Sequence, residues 1–195
     1  MAFDPRECQV VVIADTCSVW NLLSSRRLFR SARSAGRHFL ITPVVLYECL
    51  QIARRVVNAE REELLSRFKT ARSEGVFAEQ GCEIDDLLAV SRDAPVGLSS
   101  GELSCMAAAY KVRTIAFMTD DKQARRFAEE GLRLIVVTTP KLYAWLHFHR
   151  HLSDSDHGDV IREHEIYERR PLTLFLNKAY EVALQYRLMH QASPT

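Results

Sequence analysis

The segment VVVIADTCSVW, residues 10–20, limits what this chain can fold into more than any other stretch. A short β-branched run bounded by turn-forming residues has the pattern of a buried strand. The run stops abruptly at Asp15, and Thr16, Cys17 and Ser18 follow at once. Asp, Thr and Ser all make good helix N-caps, so a strand is expected to pass straight into a helix. That junction leaves a carboxylate where a buried strand ends, and the acid invites a search for partners further along the chain.

The rest of the sequence repeats the alternation. A helix is expected from residue 18 to about 34, with Val19, Leu22, Leu23 and Leu28 at helical spacings, and HFLIT (38–42) reads as a second strand. Pro43 suits the first turn of a helix running through PVVLYECLQIARRVV. Helices are expected over 59–74, ended by Gly75, and over 83–94, broken by Pro95 and Gly97. A further helix begins at SSGELSC, then RTIAFMT (113–119) is a strand, DDKQARRFAEEG a helix, LRLIVVTT (132–139) a strand, and Pro140 opens another helix. Strands alternating with helices predict an α/β layer fold with a largely parallel sheet. SDSDHGD (153–159) has the composition of a linker, which divides the chain into a first domain, 1–150, and a C-terminal helical extension, 151–195. In that extension Leu172, Phe175, Leu176, Ala179, Tyr180, Ala183 and Leu184 form a helical stripe, to be buried on the chain's own domain or, failing that, on a partner subunit.

Composition excludes some classes. No apolar run approaches the roughly 20 residues that span a bilayer, and the N-terminus lacks a basic start and an apolar core, so a cytoplasmic protein is expected. The five cysteines form no CxxC pair and are expected to be free structural thiols. A net charge of +1 gives no global mark of a nucleic-acid binder. Of the 26 basic residues, however, only Lys69, Lys111, Lys122, Lys141 and Lys178 are lysine, and Arg26, Arg27, Arg30, Arg33 and Arg37 share one short segment. Arginine forks match phosphate oxygens, although a solvated helix face would have the same pattern.

In a parallel α/β sheet, ligands bind beyond the carboxyl ends of the strands. Asp15 follows the first strand, and Asp120 and Asp121 follow RTIAFMT; Glu48 lies within VVLYECL, and Glu102 lies in the first turn after LSSG. Each acid also has a plainer role, since Asp15, Asp120, Asp121 and Glu102 could cap helices and Glu48 could face solvent. Gathered at one edge they would repel or protonate without a cation. Hard oxygen donors select Mg²⁺ or Mn²⁺.

In their order, VVIADTCSVWNLL, TPVVLYECL, GLSSGELSCMAAAY and MTDDKQAR resemble the PIN-domain ribonucleases, many of which are VapC toxins of toxin–antitoxin pairs. The resemblance covers roughly residues 9–145 and implies a three-layer α/β/α fold around a central sheet. It also implies that Asp15, Glu48, Glu102 and Asp121 are catalytic metal ligands, with Asp120 a supporting acid. Cys17 departs from the Ser or Thr of many relatives, so the hydroxyl of Thr16 or Ser18 would serve in its place. The implied reaction is Mg²⁺- or Mn²⁺-dependent hydrolysis of RNA to a 5′ phosphate and a 3′ hydroxyl, with Arg26, Arg27 and Arg30 on the RNA backbone. The implied partners are RNA, a cognate antitoxin protein and a second copy in a homodimer, with no membrane. Three alternatives accompany this reading: a PIN-like scaffold that binds RNA or protein without cutting, the same site acting on single-stranded DNA, and a zinc centre among His147, His149, His151, His157 and His164 with Asp154, Asp156 and Asp159.

Overall fold

The β-branched run forms β1 (Val11–Ala14), and His38–Ile41, Ala78–Glu79, Ala116–Met118 and Val136–Val137 form β2 to β5. The computed structural model describes residues 3–55, 58–168 and 171–191. All strand pairs are parallel, in the order β3-β2-β1-β4-β5. Helices flank the sheet, which gives the α/β architecture expected, with helices also closing the chain. Strands β1, β4 and β5 are buried almost throughout, as an all-parallel sheet covered on both faces requires.

The helices are α1 (Thr16–Ser24), α2 (Arg26–Ser34), α3 (Pro43–Arg55), α4 (Ala59–Ser73), α5 (Ile84–Arg92), α6 (Ser100–Lys111), α7 (Lys122–Arg126), α8 (Thr139–Phe148), α9 (Asp156–Tyr167) and α10 (Thr173–Gln191). The end of the helix expected to reach residue 57 lies outside the described residues. Three expectations are corrected. The single helix expected from 18 to 34 is two, because Ser25 leaves helical geometry (φ −113°, ψ 118°) and caps α2, its Oγ accepting the Leu28 N–H at 3.2 Å. The break also serves tertiary packing: Ser25 Oγ donates to Glu163 Oε2 at 2.6 Å, and Ser24 Oγ lies 2.6 Å from His164 Nδ1. The strand expected over 132–139 shrinks to two residues, because Arg133 has φ 56° at its start and Thr138 already caps α8 at its end. The linker SDSDHGD is the entry to α9, where Asp156 Oδ2 accepts the Ser153 N–H at 2.9 Å.

Strand β3 has no counterpart among the strands expected from sequence. Buried Phe77, which precedes it, adopts φ 55°, a left-handed conformation that costs a non-glycine residue about 1–2 kcal/mol. Its ring stacks on Phe29 (centroids 5.8 Å, interplanar 9°) and meets Phe68 at 5.7 Å, and full burial of such a side chain returns about 2–3 kcal/mol. The C-terminal stripe packs on its own chain: Leu176, Ala179 and Ala183 are buried, α10 lies along α8, and α9 lies against α1, α2 and α4. Phe175, expected in that stripe, is 63% exposed. Among the described residues, no helix is long and apolar enough to cross a membrane.

Candidate active site

From β1 the chain steps to β2 on one side and later to β4 on the other, so the sheet changes direction between β1 and β4. Such a switch point leaves a crevice beyond the carboxyl ends of the two strands, and Asp15 and Asp120 stand there. The Asp15 backbone N–H and the Ser18 hydroxyl both donate to the carbonyl of Met118 at 3.1 Å, tying the start of α1 to β4. Asp15 Oδ1 accepts the Ser18 N–H at 2.7 Å, so this acid is indeed an N-cap. It is a buried one, 3% exposed. Burial, supplemented by the charge of Asp120, pushes its carboxyl up to about 7, against hydrogen bonds from Thr119 and Ser18 that favour the ionised form.

Asp120 joins three elements. Its Oδ2 accepts from Asn21 Nδ2 at 2.7 Å and from the Thr139 hydroxyl at 2.5 Å, while Oδ1 accepts the Thr139 N–H at 2.9 Å. Burial raises its pKa, and Thr139, Asn21 and Arg125 oppose that rise. Glu48, from α3, accepts the Gly101 N–H at 3.0 Å and the Ser100 hydroxyl at 3.1 Å on Oε1, and the Thr16 hydroxyl on Oε2. It therefore clamps α3 to the first turns of α6 and α1. A Cβ on residue 101 would sit 2.5 Å from Glu48 Oε2, so glycine is what lets the two elements meet.

Two other expected ligands also cap helices, each through one carboxylate oxygen. Glu102 closes a capping box, its Oε2 accepting the Ser99 N–H at 2.7 Å. Exposed Asp121 caps α7, its Oδ1 accepting the N–H groups of Gln123 at 2.7 Å and Ala124 at 2.8 Å. Asp120, expected only to support, is the acid whose charge reaches Asp15. Burial, then the charges of Asp15, Glu102, Glu168 and Asp120, push the Cys17 thiol up to about 12, which keeps it protonated. All five cysteines are free.

Sequence reasoning missed Asn21, Thr139 and Glu168. Asn21 left a trace as the one amide in the apolar run SVWNLL; Glu168, at the end of α9, left none. Burial first, with the Asp120 charge adding, pushes Glu168 up to about 7. Among the described residues, no three Asp, Glu, His or Cys side chains stand together as a ready metal cage. The Asp15–Asp120 pair still suits Mg²⁺, which is commonly held by one or two carboxylates with waters completing the shell.

The arginines of α2 are not gathered at this edge. Arg26 pairs with Glu63 at 2.5 Å, Arg27 with Asp156 at 2.7 Å and Asp159 at 2.9 Å, and Arg30 lines a groove between α2 and α4 with Arg26 and Arg33. The histidines are spent on the fold, with His147 near His157 (ring centroids 6.1 Å) and His149 near His151 (6.2 Å). His164 receives the Leu172 N–H at 2.9 Å, His157 Nδ1 lies 2.8 Å from the Tyr143 hydroxyl, and His149 Nε2 lies 3.0 Å from the Arg6 carbonyl. Buried His147 has no hydrogen-bond partner on either ring nitrogen among the described residues.

Comparison with known proteins returns no match, whether to family models, to curated proteins or to solved structures.

Proposed function

We propose that the chain is a metal-dependent endoribonuclease of the PIN-domain kind, a cytoplasmic toxin paired with a cognate antitoxin and acting as a homodimer. The observation that carries the enzymatic part is the Asp15–Asp120 pair, two desolvated carboxylates at the switch point of a parallel sheet, one of them pushed up to about 7. Acids that only capped helices would be better placed in water, and a divalent cation would relieve the burial. The toxin role, antitoxin and homodimer rest on the resemblance in sequence motifs.

Asp15 and Asp120 would hold Mg²⁺ or Mn²⁺, with Glu48 and Glu102 on the rim. The ion, when bound, supplies an activated water and stabilises the leaving 3′ oxygen. The chain's own groups fix the donors: Ser18 N–H orients Asp15, Asn21 and Thr139 orient Asp120, and Thr16 with Gly101 orients Glu48. No histidine is needed as a general base.

A scaffold that binds without cutting is favoured by one observation, that Glu102 and Asp121 bind their own helix starts. Digestion of single-stranded RNA and DNA with Mn²⁺ or Mg²⁺, with and without EDTA, separates the readings. Cleavage of RNA that EDTA stops and that Asp15→Asn and Asp120→Asn each abolish is expected. Undiminished cleavage in both variants would overturn the site, and no cleavage of any nucleic acid would leave the scaffold.

A further inference from the structure

The acid edge opens on one side into a cleft of about 370 Å³, within the roughly 300–1,000 Å³ typical of sites for small ligands. Asp120 forms part of its wall. Lys122 and Arg125 border it from α7, and Leu172, Phe175 and Lys178 border it from the start of α10. Three cations thus stand around a mostly apolar space beside a catalytic acid. Lys122 and Lys178 are exposed and have no acidic partner among the described residues, unlike Arg26 and Arg27. Phe175 is 63% exposed although Leu176 and Ala179 of its helical stripe are buried. An exposed ring beside Lys122 and Lys178 offers what a nucleotide requires: a face for the base and positive charge for the phosphate.

We propose that this cleft holds the nucleotide next to the scissile bond of single-stranded RNA, its base against Phe175 and its phosphate between Lys122 and Lys178. The proposal rests on the ribonuclease reading, because it takes Asp120 as the point shared by the cleft and the cutting site. It gives the C-terminal extension a role in substrate selection. A duplex buries its bases in the stack and cannot offer one to an aromatic ring without unpairing, so the cleft selects single strands. Arg26, Arg27 and Arg33 of α2, held in ion pairs with Glu63, Asp156, Asp159 and Glu74, are not part of this path.

The test is binding of a fluorescently labelled single-stranded decaribonucleotide, and of its duplex, to the full chain carrying Asp15→Asn in Mg²⁺ buffer. Loss of a base–aromatic stack is worth about 1–3 kcal/mol, so adding Phe175→Ala should weaken single-strand binding about tenfold. Adding Lys178→Glu should weaken it similarly and flatten the dependence on salt. Both side chains are exposed, so unchanged thermal midpoints are expected; should Phe175→Ala fail to fold, Lys178→Glu decides. Single-strand affinity within twofold of the parent in the variants, no measurable RNA binding, or equal affinity for duplex would overturn the cleft assignment. Failure of the two readings is distinguishable. A wild-type chain that cuts no RNA but binds it through Phe175 and Lys178 loses the nuclease and keeps the cleft. One that cuts RNA while both variants bind like the parent keeps the nuclease and loses the cleft.

Discussion

The acid edge and the histidine core beneath α10 both bury titratable side chains, and they handle the cost in opposite ways. His147 lies among rings, with Tyr143 at 4.5 Å, Tyr180 at 4.8 Å and His157 at 6.1 Å between centroids, and among the described residues none hydrogen-bonds to its ring. Burial pushes it down to about 4, and it is simply neutral. Asp15 and Asp120 are desolvated too, yet they are surrounded by donors that favour the ionised form. In one region the protein discards charge; in the other it works to retain charge against its own burial. A fold with stability as its sole requirement has little reason for the second arrangement, because removing a buried charge is often neutral or stabilising.

The strongest way to break this contrast is Asp15→Asn. Asparagine caps a helix as well as aspartate does. We therefore expect cleavage to fall by at least about 10³-fold, while thermal stability stays level or rises. Undiminished cleavage at unchanged stability would mean that Asp15 is a structural cap and nothing more.

Next in size is the response to acid. His147 and His164, both near 4 when folded, take up protons more readily when unfolded, where the ordinary value is 6.5. Their contribution is present above about 6.5 and is lost as pH falls toward 4, so stability rises with pH across that window. Asp15, near 7 when folded and 3.8 when not, acts in reverse: its contribution is present below about 3.8 and is lost as pH rises through 7. Denaturant unfolding at pH 4.5 and 7 should show His147→Phe flattening the histidine-driven gain by on the order of 2 kcal/mol. Asp15→Asn should steepen it. Equal slopes in all three proteins would erase the contrast.

Gly101→Ala should cost about 1 kcal/mol, the worth of hydrogen bonds displaced as Glu48 swings aside, and should lower cleavage more than stability. The smallest effect is expected at Arg26→Ala. Its pair with Glu63 is largely in water, and such pairs are worth about 0.2–1 kcal/mol. RNA affinity unchanged in that variant would keep recognition on the side of the acid edge.

The sheet was legible because β1, β2 and β4 are β-branched or aromatic runs between turn-formers. The helix starts were legible because Ser99, Asp121 and Pro43 follow local rules. What escaped depends on tertiary contacts. Ser25 breaks a helix whose apolar spacing continues past it, since α9 offers its side chain a partner. Phe77 takes a left-handed turn because three other aromatic rings enclose it. At the site, the sequence supplied Asp15, Glu48 and the Asp120–Asp121 doublet but not which of the two aspartates turns inward. Asn21 and Thr139 decide that, 99 and 19 residues away in the chain.

The bond from the Asp15 N–H to Met118 has one more consequence. Because it continues the ladder between β1 and β4, the gap between the two inner acids is measured out by neighbouring backbones, roughly 4.8 Å apart, and not by side-chain flexibility. The sheet serves as a ruler. Exchanging either aspartate for glutamate keeps the charge but overshoots the mark by a methylene, so here the mildest chemical change is a misfit.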